Sequence, residues 1–375
     1  MNTIETLMIS TSYPADLDDW RGLFIRHLVG AFARRDDVAL HLWAPPGEIP
    51  PNVQSATTRS EQQWLASLMA AGGIAHLMRT RNLRGLTSPL RLLAMLARSY
   101  RRNATLDMYH VNWLQNALPL PRNGRPALIT VLGSDFQLLG LPGMRPLLRH
   151  AFRGRAVALC PNADWMVPTL EAAFGDMAHV VFVPFGIDPC WFDVDRELAE
   201  NGTRKWMCVS RLTKAKLGDL LEHGVDFFSA AGRELHLFGP MQETIDLPPW
   251  VHYHGPISPQ SLCREWFPHA FGLISLSQHA EGRPQVMLEA MAAGLPIIAS
   301  DIPPHANLVQ HRQTGWLCKS SGQLAEALAA LEVPATNLLT GAAARRWVNE
   351  HIGTWDDCAA RYLRVYRSLL EISAQ

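Results

Sequence analysis

Short runs of aliphatic and β-branched residues alternate with helix-like stretches along almost the whole chain, and this alternation limits the fold more than any other feature. Strands joined through helical crossovers come out parallel, in sheets covered on both faces. In the first half the strand-like runs are TLMIS (6–10), VALHLWA (38–44), MYHV (108–111), ALITVLG (127–133), VALC (157–160) and VVFVP (180–184). Helical stretches such as Gly22–Ala33 and Trp165–Phe174 lie between them. PFGIDPCWFDVD (184–195), rich in proline and aromatics, reads as a crossover into a second set. That set begins at WMCVS (206–210) and continues through LHLFG, VHYHG, GLISLS, PIIAS and GWLC. A chain of 375 residues exceeds one comfortable core, so the expectation is two α/β domains, 1–188 and 189–354. There is no internal repeat and no low-complexity segment.

Composition narrows the functional classes. Apolar content of 48% and charged content of 18% are those of an ordinary globular protein, and a formal net charge of zero speaks against nucleic acid as a partner. The six cysteines form no CxxC pair, which suits reduced, mostly buried thiols better than a disulfide frame or a zinc site. The N-terminal MNTIETLMISTSYP lacks the basic flank and apolar core of a signal peptide, and no window approaches 18 uninterrupted apolar residues. The expected location is the cytoplasm.

The most informative short stretch is EGRPQVMLE, from Glu281 to Glu289, followed by AMAAG and the apolar LPIIAS. Leu288, Met291 and Ala292 recur at helical spacing behind Pro284, and Gly294 with Pro296 ends the helix before a buried strand. Glu281 then lies in the turn before the helix and Glu289 a turn or more inside it. N–H groups at a helix start attract phosphate, while a carboxylate accepts from sugar hydroxyls. The same residues also fit a plain amphipathic helix with one solvated and one capping glutamate.

SQHAEGRPQVMLEAMAAG (277–294) resembles the donor-site signature of retaining family 4 glycosyltransferases, which have the GT-B fold of two Rossmann-like domains facing across a cleft. The resemblance implies that Glu281 touches the transferred sugar and Glu289 holds the ribose of the nucleotide. Where many relatives have a Gly-rich turn this chain has Pro284, which offers no N–H. Main-chain contacts to the donor are therefore expected from Gly282, Gln285 and Val286. The family fold also implies that the last helix, near Trp355–Leu370, returns to the first domain, so that 355–375 belongs with 1–188.

VSRLTKAKLGDLL (209–221) follows a strand and precedes a helix, where an open α/β sheet presents ligands. It resembles the family's Arg-Leu-x-x-x-Lys-Gly segment, which assigns the diphosphate to Arg211 and Lys216; the glycine stands one residue late, at Gly218. Two cations at a helix start also occur as a solvated face. Gly22, opening the first helix, could let backbone approach a phosphate, and similar enzymes place a glycine loop there. DLDD (16–19) and FDVD (192–195) contain Asp-x-Asp, yet neither adjoins the donor motif, so no metal site and no cofactor are expected.

TVLGSDFQLL (130–139) resembles a family segment that carries His before Gly, and Leu132 stands in place of that His. Asp135 keeps the carboxylate, either to contact substrate or to cap the following helix. His110 and Asn112 share one face of a strand, and His110 either supplies the missing imidazole or is a core histidine. His110, Asp135 and Glu281 are thus the candidate catalytic residues. No further acid stands out as a nucleophile, and the resemblance implies front-face retention.

Between Arg79 and Arg102 there are seven arginines and no acid. SPLRLLAMLARSYRR (88–102) reads as a helix with Ser88 as N-cap and Pro89 at the first position, and with Arg91, Arg98 and Arg102 on one face. That face suits either solvent or an anionic inner membrane surface.

The sequence is read as a metal-independent, retaining hexosyltransferase of GT-B type. It would take a nucleotide diphosphate sugar and transfer to a glycan or lipid-linked acceptor, in cell-surface polysaccharide synthesis. The alternatives are a sugar-nucleotide epimerase of the same fold, or a non-catalytic scaffold that binds a sugar nucleotide.

Overall fold

The computed structural model describes residues 3–16, 19, 21–73, 83–198, 202–278 and 282–374. The chain divides into two compact units: residues 1–184 with 355–375, and residues 185–354. Helices of eight or more described residues are labelled α1 to α9; shorter turns are named by their residues.

The first unit holds β1 (Ile4–Ile9), α1 (Leu23–Ala33), β2 (Val38–Trp43), β3 (Gln54–Ser55), α2 (Arg59–Ala70), α3 (Leu83–Arg102), β4 (Met108–Asn112), β5 (Ala127–Val131), α4 (Met144–Phe152), β6 (Val157–Pro161), α5 (Val167–Phe174) and β7 (His179–Val180). Its seven strands are parallel in the order β3-β2-β1-β4-β5-β6-β7. β4, β5 and β6 are buried at every position, as expected of central parallel strands covered on both faces. β3 is too short and polar to carry a strand pattern; pairing with β2 makes it one. The run 180–184 forms less strand than its sequence suggests, although the N–H groups of Val181 and Val183 still donate to Leu159 and Pro161.

Ser88 is not an N-cap. α3 runs through it from Leu83, with Pro89 inside the helix, and the buried residues Leu92, Met95, Leu96 and Tyr100 hold the helix on the sheet. Burial of this apolar face outweighs the one helical hydrogen bond that proline removes.

The second unit contains β8 (Arg204–Val209), β9 (Arg233–Phe238), β10 (Val251–Gly255), β11 (Ala270–Ser275), α6 (Gln285–Ala292), β12 (Ile297–Ser300), β13 (Gly315–Cys318), α7 (Ser321–Leu331) and α8 (Pro334–His351). Its six parallel strands run β10-β9-β8-β11-β12-β13. One face of the sheet packs on Met287, Leu288, Ala290, Met291 and Ala292 of α6, and the other on Leu324, Ala327, Leu328 and Leu331 of α7. α9 (Trp355–Ala374) closes the chain on the first unit, where Tyr366 stacks on Phe32 with ring centroids 5.6 Å apart and Arg34 pairs with Asp356 at 2.6 Å.

Candidate functional site

In the second sheet the strand order reverses between β8 and β11: β9 and β10 extend to one side, β12 and β13 to the other. Ligands of open α/β sheets bind at the carboxyl ends of strands at such a reversal. VSRLTKAKLGDLL leaves β8 there, and the segment leading to EGRPQVMLE leaves β11.

The two segments are joined by direct contacts. Thr213 caps the turn Lys214–Leu217 by accepting from the Lys216 N–H at 3.2 Å. Gln278 N–H donates to the Ala215 carbonyl at 2.8 Å, and its side chain donates to Asp219 at 3.0 Å. Gly218 has φ +53°, and a Cβ there would lie 2.0 Å from the Leu276 carbonyl oxygen. This close approach explains why the glycine stands at 218 in this chain: a side chain there would collide with the loop after β11. Arg211 is exposed and makes no ion pair among the described residues, while Lys216 is half-buried.

α6 begins after Pro284. Gln285, its first residue, donates from its side chain to the Gly186 carbonyl at 2.8 Å, which ties the helix start to the segment entering this unit. Glu289 lies on the side of α6 away from the core. No protein group donates to its carboxylate among the described residues. The residue keeps partial solvent exposure although protein crowds its carboxyl, the position of a group that water reaches from one side. Burial pushes its pKa up to about 7, and the carboxylate of Asp188 adds to the rise. Asp188 caps the turn Pro189–Phe192, accepting from the Cys190 N–H at 3.0 Å. Its part in this site had a faint signal in the sequence, the Asp-Pro pair of a helix start. Gly282 is buried, Val286 is half-buried, and Glu281 lies outside the described residues.

The first unit treats its candidates differently. His110 is fully buried, with Nδ1 at 2.6 Å from the Tyr366 hydroxyl and Nε2 at 2.9 Å from Thr130 Oγ1. Burial lowers its pKa to about 3, so it stays neutral. It is a core histidine joining β4, β5 and α9, with no free nitrogen and no solvent access, and the catalytic reading is withdrawn. Asp135 is 1% exposed; its carboxylate accepts from the Leu132 N–H at 2.8 Å and the Leu114 N–H at 2.7 Å. Burial pushes its pKa up to about 7 against the pull of these N–H groups. It fastens two loops at strand ends, which leaves neither oxygen without a protein partner. Gly22 caps α1 with φ +77°, and a Cβ would meet Ser12 Oγ at 2.6 Å, so this turn packs on its own loop.

Asp19 pairs with Arg21 at 2.8 Å, and no group of three or more His, Cys, Asp or Glu side chains is placed to hold a metal among the described residues. A cavity of about 310 Å³ lies elsewhere, between α9 and the strand end at Val181–Val183.

Residues 203–332 match the family model of glycosyl transferases group 1. Two sequence relatives, from Mycobacterium tuberculosis strains CDC 1551 and H37Rv, are each described as a GDP-mannose-dependent alpha-(1-6)-phosphatidylinositol monomannoside mannosyltransferase; each is 28% identical over 248 residues, 59% of this chain. This chain spans 64% of the length of these relatives. Among solved structures, sucrose-phosphate synthase from Thermosynechococcus elongatus superposes with a TM-score of 0.70 at 15% identity, covering 98% of this chain and 100% of that one. Anabaena HepE in complex with UDP and glucose gives 0.65 at 13% identity, with the same coverage. Over residues 203–332 the chain is similar to the glycosyl transferases group 1, and its two parallel-sheet, Rossmann-like units are those of the GT-B fold.

Proposed function

We propose that the protein transfers a hexose-like sugar from a nucleoside diphosphate donor to a glycan or lipid-linked acceptor, with retention at the anomeric carbon and without a metal. The observation that carries this reading is the Glu289 carboxylate. It is crowded by protein, raised in pKa and, among the described residues, without a protein donor, on the helix after β11, next to the strand whose end bears Arg211, which has no ion-pair partner among those residues. A carboxylate crowded by protein and reached by water from one side has acceptor capacity to spare, and the hydroxyls of a ribose would supply two donors. Arg211 and Lys216 would face the diphosphate, with the first N–H groups of α6 beside it. Glu281 would contact the transferred sugar, a role that comes from its place in the motif.

Diphosphate-linked hexoses are named for the proteins this chain resembles, GDP-mannose for the mycobacterial relatives and UDP-glucose for a HepE complex. Transfer would proceed on one face of the sugar. The acceptor oxygen bonds to the anomeric carbon as the bond to phosphate breaks, and the acceptor proton passes to the departing phosphate oxygen. Fixed cations stabilise the charge that develops there. Asp135 and His110 have no part in these steps.

A thermal-shift panel of nucleotide sugars tests the reading. At 100 times the dissociation constant the true donor stabilises the fold by about 2.7 kcal/mol. Glu289→Ala is expected to remove most of that shift, whereas Glu281→Ala keeps it and loses acceptor-dependent release of nucleoside diphosphate. A wild-type protein that no nucleotide sugar stabilises would refute the proposal. Binding without acceptor-dependent release would leave an epimerase or a scaffold.

A membrane-borne acceptor has support in the first unit. The outer faces of α2 and α3 expose Arg59, Arg91, Arg98 and Arg101, together with Leu90 at 70% exposure. The one acid in these helices, Glu61, is buried and paired with Arg102 at 2.7 Å. Each such cation contributes about 1 kcal/mol at an anionic leaflet. This would place the protein in the cytoplasm at the inner membrane face, in keeping with cell-surface polysaccharide synthesis. Sedimentation with anionic but not zwitterionic vesicles, abolished by charge reversal at Arg91, Arg98 and Arg101, is the expected result; equal binding to both kinds of vesicle counts against it.

A further inference from the structure

Two arginines hold the far end of α6. Arg345, from α8, donates through Nη2 to the Ala293 carbonyl at 2.8 Å and to the Val194 carbonyl at 2.5 Å. Arg196 donates through Nη1 to the Gly294 carbonyl at 2.8 Å and through Nη2 to the Ala270 carbonyl at 2.7 Å. Space around them is closed: a Cβ on Gly341 would lie 1.9 Å from the Gly294 oxygen and 3.0 Å from Arg196 Nη1.

Neither guanidinium has an ion-pair partner among the described residues. Burial, with the like charge of Arg345 nearby, lowers the pKa of Arg196 to about 10. Burial lowers that of Arg345 also, opposed by Asp195 and Asp193. Both aspartates are exposed, and together they are the acids of the FDVD run, which here face an arginine. Two crowded cations side by side are a poor choice for stability alone, since packed apolar residues cost less. They do suit the end of a helix whose last carbonyls form a negative pole. With that pole covered, the eight-residue α6, about 12 Å long, presents its positive end at Gln285 and Val286, with no acid in its first turn.

We propose that Arg196 and Arg345 are positioning residues for the anionic part of the ligand. They seat α6 from behind and bias its field toward a diphosphate at its other end. This rests on the reading of α6 as the helix that faces the phosphates.

Titration calorimetry on the full chain at low salt separates the possibilities, with UDP, GDP and the matching nucleosides as probes. Arg345→Gln is expected to weaken the preferred nucleoside diphosphate about tenfold while leaving the nucleoside unchanged, and Arg345→Lys to recover most of the loss. Equal loss for diphosphate and nucleoside would show a merely structural role and overturn the inference, as would no loss at all. Asp193→Asn with Asp195→Asn alters only exposed positions and keeps the test open should Arg345→Gln not fold. It is expected to strengthen diphosphate binding two- to threefold, and unchanged affinity counts against the proposal. If the wild type binds neither diphosphate, the reading of the site falls together with this inference; if it binds and the variants behave like it, only the inference falls.

Discussion

The two units place polar residues on and just beyond central parallel strands and use them in opposite ways. His110, in the middle of β4, and Asp135, in the turn after β5, are bonded through both nitrogens or both oxygens, to residues as distant in sequence as Tyr366. Arg211, just past β8, and Glu289, in the helix after β11, have no such partners among the described residues. Buried polar groups are normally satisfied, so saturation marks the frame and unmet bonding capacity marks the place where a ligand belongs. In this chain residue type alone would have pointed to both places equally.

The largest expected effect tests the frame. Asp135→Ala orphans the buried N–H groups of Leu114 and Leu132, at about 2 kcal/mol each, so chemical denaturation should show a loss of about 4 kcal/mol. Donor affinity of the folded fraction should be unchanged. If affinity falls instead, Asp135 belongs to the site and the contrast fails.

The converse experiment is Arg211→Ala. Unfolding should match the wild type, because an exposed cation without a partner contributes little to stability. kcat/KM should fall about a hundredfold, equivalent to roughly 3 kcal/mol of lost charge stabilisation. A variant that is less stable yet fully active would reverse the assignment.

The smallest effect concerns Glu289 and pH. Its folded pKa, about 7, lies above its ordinary value of 4.5. Between those values the unfolded chain has released the proton that the folded chain keeps. The stability due to the protonated carboxyl is therefore full below pH 4.5 and lost as pH rises through 7. Glu289→Gln, neutral at every pH, should raise the unliganded melting temperature by a few degrees at pH 8 and leave it unchanged at pH 4. Asp135 titrates over the same range but is common to both proteins, so it cancels. A gain independent of pH would mean that Glu289 is already ionised and well solvated in the fold.

Much of this architecture could be read from the chain because it rests on local patterns. Runs such as ALITV and IIAS are almost wholly apolar, as suits buried parallel strands, and the helical spacing of Leu288, Met291 and Ala292 marks the buried face of α6. β3 escaped because two polar residues carry no period, and the start of α3 was misplaced because Ser-Pro is a good helix start wherever it occurs. Gly218 illustrates the limit: its displacement looked like a departure from a pattern, while its cause, the Leu276 carbonyl, comes from another strand.

The order of strands and helices, their burial on both faces and the nature of the chemical groups at each strand end follow from the chain alone, because side-chain period and turn residues act over a few positions. Tertiary structure alone decided which of those groups would be used up. Whether a histidine finds two hydroxyls, or a glutamate finds none, depends on atoms brought within 3 Å from segments between 20 and 256 residues away in the case of His110. No local pattern encodes that meeting.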